Sequence, residues 1–214
     1  MKYLVCLLLG YFLGSINPAY FLGKWKGFDI REHGSGNAGA SNALMLLGKY
    51  KGIFCAFFDV IKAFAVILLT SWMFPDLRYG FVITGVSCVL GHIFPFYMGF
   101  RGGKGLACLG GMVLAFDLWV FVLMLIGAVI LVLLTGYICF VPMAASVVFP
   151  LIYGWLQKDF LGALILSVLI PIIFCKHRVN LRRIREGKEM RISFLWNQED
   201  ELRRLDLQEE KEQI

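Results

Sequence analysis

Residues 118–137 read LWVFVLMLIGAVILVLLTGY, a run with no ionised side chain. An α-helix rises about 1.5 Å per residue, so the run reaches about 30 Å, the thickness of a bilayer's hydrocarbon core. Other long apolar stretches flank it on both sides, and a water-soluble core has no room for so many at this chain length. The 214 residues are 59% hydrophobic and 17% charged, with a mean hydropathy of +0.73, whereas soluble domains carry about 25% charged residues. The reading is an all-α, polytopic integral membrane protein in a lipid bilayer, with no nucleic-acid partner.

Working outward, seven apolar segments stand out, at 3–22, 53–74, 79–97, 105–116, 118–137, 138–156 and 160–175. The fourth is short, as a half-span or a helix packed steeply inside a bundle would be. The first follows Lys2 as in a signal peptide, but its apolar character continues through PAYFLG into a basic loop, so a retained helix is expected. Lys24, Lys26, Arg31, Lys49 and Lys51 lie between the first two segments, Arg101 and Lys104 between the third and fourth, and a basic series from Lys176 to Lys211 after the last. The opposite-side regions hold Lys2, Arg78 and Lys158. The positive-inside rule then predicts an outside N-terminus and a cytoplasmic C-terminus, which seven crossings require. Residues 1–193 are expected to form the membrane domain and 194–214 a charged cytoplasmic tail, with Glu199 and Arg203 four apart on a solvated helix.

The six cysteines show no C-x-x-C spacing and fall in or near apolar runs, so they read as small buried hydrophobes. Cys88 and His92 are four apart, but two ligands without a nearby carboxylate make a poor metal site. No metal or cofactor is expected.

The chemistry concentrates in three loops that this topology gathers on one face. GSGNAGASN (34–42) fits G-x-G-x-x-G formally, yet it follows FDIREH rather than a strand and no βαβ pattern surrounds it, so the dinucleotide reading fails. GHIFPFYMGFRGGKGLA (91–107) misses the P-loop spacing, but Gly102, Gly103 and Gly105 let backbone N–H groups approach an anion, and Arg101 and Lys104 supply charge. KHRVNLRRIREGKE (176–189) sets His177 and Asn180 three apart on one helix face, where a histidine can act as base or phosphate partner. Asp59 and Lys62, three apart in an apolar helix, read as a structural pair supporting the first loop.

These three motifs, in this order after LGSI (13–16), resemble the acyl-phosphate-dependent glycerol-3-phosphate acyltransferases of bacteria, the PlsY family. The resemblance covers the chain to about residue 189. It implies a seven-helix enzyme of the bacterial inner membrane that moves a fatty acyl group from acyl phosphate to the 1-hydroxyl of glycerol 3-phosphate, giving lysophosphatidic acid for phospholipid synthesis. It further implies catalytic roles for Ser35, Lys104, His177 and Asn180. Substrate contacts are implied for Gly36, Asn37, Asn42, Arg101, Gly102, Gly103 and Gly105, and a structural role for Glu189. Three positions depart from the family's pattern: Met45 replaces an arginine, and Cys139 and Pro142 replace serines. No H-x-x-x-x-D occurs, which argues against the acyl-CoA-dependent acyltransferases. The rival readings are a degenerate paralogue or a carrier that binds a phosphorylated anion without acyl transfer. A carrier would show internal repeats and ionisable groups through the midplane, but no repeat is visible and no charge lies between Tyr137 and Gln157.

Overall fold

The computed structural model describes residues 1–197, 200, 201, 203 and 204, and these form helices joined by turns and short 3-10 segments. The expected pairing of Glu199 with Arg203 lies outside the described residues. α1 (Lys2–Ser15) and α2 (Pro18–Trp25) share the first apolar segment, and the break between them has a local cause. Pro18 has no N–H to offer the carbonyl of Gly14, so the helix stops and restarts with Pro18 in its first turn, where that N–H is not needed. Asn17 caps the restart, its side-chain oxygen accepting from the Tyr20 N–H at 2.9 Å. Side chains take the freed carbonyls: Tyr97 donates to Ser15 at 2.7 Å and Lys62 to Ile16 at 2.5 Å.

α3 (Ala40–Leu47) is a short helix leading into α4 (Lys49–Met73), which is followed by α5 (Gly80–Ile93). α6 (Leu106–Phe116) and α7 (Leu118–Thr135) form a hairpin hinged on Asp117, whose carboxylate caps α7 by accepting from the Val120 N–H at 2.8 Å. α8 (Phe140–Gln157), α9 (Phe160–Ser167) and α10 (Leu169–Arg185) complete the bundle. Pro171 cannot donate to Ser167, and the helical run parts at that point.

Among the described residues, six helical stretches are long and apolar enough to cross a membrane: Lys2–Trp25, Lys49–Met73, Gly80–Met98, Leu118–Thr135, Phe140–Gln157 and Phe160–Arg185. α6 has 11 residues and so spans about 16 Å, half the hydrocarbon thickness. The short fourth segment therefore forms the short helix that its sequence predicts. With α5 also only 14 residues long, the loop from 94 to 105 is drawn into the bundle. Irregular backbone is tolerated at such depth only where protein or a polar cavity surrounds it.

One packed core joins α4, α5, α6, α8, α9 and α10 through residues such as Ile67, Val82, Met112, Phe149, Leu166 and Ile173. α1 closes against α5 through Gly10, Gly14 and Gly91, where a Cβ would strike the backbone of the facing helix. Without a water-driven force between helices in lipid, such close backbone approach supplies the attraction. α7 lies at the rim with only 6% of its span buried, which explains why it tolerates an unbroken apolar sequence on every face. A second apolar cluster, including Ile30, Ala38, Ala43, Leu47 and Met98, sits under the loops and gives them a floor.

Candidate active site

The three polar loops meet around a cavity of about 690 Å³ at one end of the bundle. Ser35 and Asn37 enter its wall from the first loop, Lys104 and Gly105 from the second, and His177, Asn180 and Glu189 from the third.

The first loop is built around Asn42. Its buried amide group donates to the carbonyls of Ile30, Asn37 and His33 at 2.8, 3.0 and 3.1 Å, and its oxygen accepts from the Ser35 N–H at 2.9 Å. One side chain thus satisfies four main-chain groups that would otherwise be stranded away from water. Asn42 shapes the loop from inside and does not line the cavity. Gly36 also lies off the wall, in a turn at φ +72° closed by its N–H on the His33 carbonyl at 3.1 Å. The loop is tethered at both ends. Asn17 donates to the Ala38 carbonyl at 2.8 Å, and Arg31, forked on Asp29 at 2.9 and 2.7 Å, also donates to the Met98 carbonyl in the second loop.

The second loop departs from the sequence reading. The N–H groups of Gly102 and Gly103 donate to the Ile93 and His92 carbonyls at 3.1 and 3.0 Å, so they hold the loop to the end of α5 rather than facing an anion. Gly103 is needed for contact, since a Cβ there would enter the His92 ring. Arg101 is exposed and off the wall, with its carbonyl held by Arg31 at 3.3 Å. Gly105 turns at φ +90° to start α6. The anion-binding elements left in this loop are Lys104 and the first turn of α6, whose N–H groups carry the positive end of the helix dipole.

Asp59 and His92 reach the cavity, and Lys62 sits between them. The Lys62 ammonium is 2.6 Å from Asp59 Oδ1 and 3.2 Å from His92 Nδ1. Asp59, His92 and Cys108 offer ligand atoms within 4.8 Å of one another, so the fold gives His92 a carboxylate neighbour and Cys108 as its sulfur neighbour, neither legible from spacing. The ammonium occupies the cation's place in that group, which fits a lysine rather than a metal. The expected Asp59–Lys62 pair is present, and through Ile16 and His92 it braces the α1–α2 break and the second loop.

On α10, His177 Nδ1 donates to the Ile173 carbonyl at 2.8 Å, which leaves Nε2 as the acceptor in the neutral ring. Asn180 joins two loops: its NH2 donates to Glu189 Oε1, and its oxygen accepts from Lys104 Nζ at 2.6 Å. Burial pushes the Glu189 carboxyl above its ordinary range and the Lys104 ammonium below its own. Arg182, Arg183, Lys188 and Arg191 also line the cavity, and Arg183 donates to the Ser35 carbonyl at 3.4 Å. Sequence reasoning passed over Arg183, although it continues the three-residue step from His177 to Asn180 along one helix face. Met45, Cys139 and Pro142 all line the same cavity. Pro142 is tolerated because it falls in the first turn of α8, where N–H groups have no intrahelical acceptor.

A second, apolar cavity of about 420 Å³ lies between α6, α7 and α8 and shares Leu106, Ala107 and Ile192 with the first.

Comparison with known proteins points to one family. The family model described as glycerol-3-phosphate acyltransferase matches residues 4–187. A glycerol-3-phosphate acyltransferase of Streptococcus thermophilus is 34% identical over 203 residues, covering 91% of this chain and 95% of the relative. That of Bacillus subtilis is 33% identical over 190 residues, covering 88% and 97%. The crystal structure of PlsY (YgiH), an integral membrane glycerol 3-phosphate acyltransferase, superposes in its glycerol 3-phosphate form with a TM-score of 0.80 at 31% identity, covering 91% of this chain and 98% of that one. Its lysophosphatidic acid form gives 0.77 at 30% identity.

Proposed function

The chain belongs to the glycerol-3-phosphate acyltransferase family, and we infer from its geometry how it performs that chemistry. It is a membrane acyltransferase that moves a fatty acyl group from acyl phosphate to glycerol 3-phosphate, giving lysophosphatidic acid. The observation that carries the mechanism is the continuity of a cationic polar cavity with an apolar trough. That pairing suits a donor with a charged head and a hydrocarbon tail. The acyl chain lies in the trough, and its mixed-anhydride head rests at the junction, near Leu106 and Ala107.

Lys104 and the α6 amides hold a phosphate, with Arg183 and Lys188 adding charge to the wall. Ser35 and Asn37 offer small polar groups to the glycerol moiety. The 1-hydroxyl oxygen attacks the acyl carbonyl carbon, the bond from that carbon to the phosphate oxygen breaks, and inorganic phosphate leaves. The hydroxyl proton passes to an oxygen of the departing phosphate. His177 Nε2 accepts a hydrogen bond from the neighbouring 2-hydroxyl and so orients the glycerol moiety for attack. No acyl-enzyme is needed, because phosphate is already a good leaving group. Asn180 and Glu189 keep the Lys104 ammonium in place.

Counting the short α6 with the six long helices gives seven crossings, and with the Lys and Arg distribution this supports an outside N-terminus and a cavity facing the cytoplasm of a bacterial inner membrane. Arg78 and Asp159, 3.6 Å apart, then mark the outer face. Purified protein in detergent or lipid, given acyl phosphate and glycerol 3-phosphate, should form lysophosphatidic acid and phosphate. Comparable turnover with acyl-CoA would reject the donor.

A further inference from the structure

The family model ends at residue 187, yet the chain beyond it is fastened to the site. Residues Gly187 to Ser193 form a strap along the cavity mouth, with Lys188, Glu189, Met190, Arg191 and Ile192 all lining it. Ile192 lines both cavities, so the strap stands at the junction of the polar and apolar chambers. Against the bundle it is held by the Ile192 N–H on the Gly136 carbonyl at 2.8 Å and by the Lys188 and Glu189 N–H groups on the Arg183 carbonyl at 2.7 and 3.1 Å. Further anchorage comes from downstream. Glu201 is only 5% exposed, although it lies in a charged tail. Its carboxylate accepts from the Arg191 N–H at 2.8 Å and from the Ser193 hydroxyl at 3.2 Å. Arg204 donates to the carbonyls of Gly187 and Glu189 at 2.6 and 2.8 Å and pairs with Glu201. A buried carboxylate and a guanidinium thus make four hydrogen bonds to the strap and pair with each other, more than a solvated helix needs.

We propose that Glu201 and Arg204 are positioning residues for the acyl transfer, latching the strap so that Glu189 holds Asn180 and Asn180 holds Lys104. The route is continuous: Arg204 to the Glu189 carbonyl, the Glu189 carboxylate to Asn180, and Asn180 to the Lys104 ammonium. Burial alone would raise the Glu201 carboxyl, but Arg204 and the Arg191 N–H hold it below its ordinary value, as a charged latch requires. With the latch gone, the Glu189 carbonyl loses its Arg204 donor and only its N–H bond to Arg183 remains, so the Glu189 carboxylate holds Asn180 less firmly and the ammonium is less well aimed at substrate phosphate. The proposal rests on the acyltransferase reading for its kinetic consequence and on geometry alone for the latch.

The test uses the full chain in lipid nanodiscs with two readouts. In a Cys175→Ser background, which removes the exposed native thiol, Met190→Cys reports strap opening by its rate of maleimide labelling. Arg204→Ala should speed that labelling about tenfold and raise KM for glycerol 3-phosphate about tenfold, the loss expected of one charge-assisted contact, while kcat changes far less. Arg204→Lys, which keeps a donor for one carbonyl, should fall between wild type and Arg204→Ala, and Glu201→Gln should fall on the same side. These two variants serve in its place if Arg204→Ala fails to fold. Unchanged labelling overturns the latch. Faster labelling with unchanged KM overturns the positioning role. A wild type that forms no lysophosphatidic acid overturns the reaction and not the latch, which the labelling rate then decides.

Discussion

Lys104 and Asn180 lie 76 positions apart in the chain and meet in a 2.6 Å hydrogen bond that joins the second loop to the third at the cavity wall. Among the described residues, the ammonium has no carboxylate within ion-pairing distance. A half-buried cation whose contact partner is the neutral Asn180 amide costs folding free energy, and we propose that a ligand supplies the missing negative charge.

Replacing that cation should therefore affect turnover and spare the fold. Lys104→Ala is expected to lower kcat/KM by about a hundredfold or more, with a thermal midpoint no lower than wild type, since the half-buried charge was itself a burden. Lys104→Gln, which keeps a donor for Asn180, should be nearly as inactive. Kinetics on protein that remains monodisperse in detergent would check this, and wild-type rates in either variant would reduce Lys104 to a topological charge.

Met45 lines the cavity and lies against Gly34, where a Cβ would come within 3.3 Å of the methionine's terminal carbon. The side chain thus stands beside the first loop on the ligand side. Met45→Arg should raise kcat/KM for glycerol 3-phosphate by about ten- to hundredfold, the value of a charge-assisted contact to phosphate. If Arg183 or Lys188 already neutralises that phosphate, Met45→Arg will be silent and Arg183→Ala or Lys188→Ala will carry the loss. Silence in all three would reject the phosphate assignment.

The link between the first two loops should be sensitive to acid. The Arg31 guanidinium holds the Asp29 carboxyl well below the usual carboxylate range. A depressed folded-state pKa contributes stability that is present above the unfolded value of about 4 and is lost as pH falls below it. The melting temperature should decline between about pH 5 and pH 3 and the decline should flatten in Asp29→Asn, whose melting temperature should be lower at neutral pH. Equal slopes for the two proteins would count against the pair as a stabilising tether.

Topology can be read by thiol labelling, provided the probe positions respect the contacts. Gly103 is unsuitable because any side chain there meets His92. Lys26 and Arg101 are exposed on the side of the cavity loops and Lys158 at the opposite end. Cysteines at Lys26 and Arg101, in a Cys175→Ser background, should react only from the cytoplasmic side, and one at Lys158 only from outside intact cells. The reverse pattern would overturn the orientation.

The apolar helical segments and the short fourth helix were legible in the sequence, because lipid forces every backbone group into helices and apolar length alone then reports a span, whereas the short α3 in the first loop region was not. Pro18 and Pro171 were visible too, but whether a proline ends a helix or only bends it depends on what satisfies the freed carbonyls. Tyr97 and Lys62 reach those at Ser15 and Ile16 only in the folded bundle. The three motifs identified the residue types of the site. The division of labour among them was set by packing. Asn42 turned inward to shape its loop, Gly102 and Gly103 gave their N–H groups to α5, and Lys104 kept the cavity. Spacing along a chain constrains which residues share a helix face. It says nothing about contacts such as Lys104 with Asn180 or Arg204 with Glu189, which depend on where separate elements come to rest.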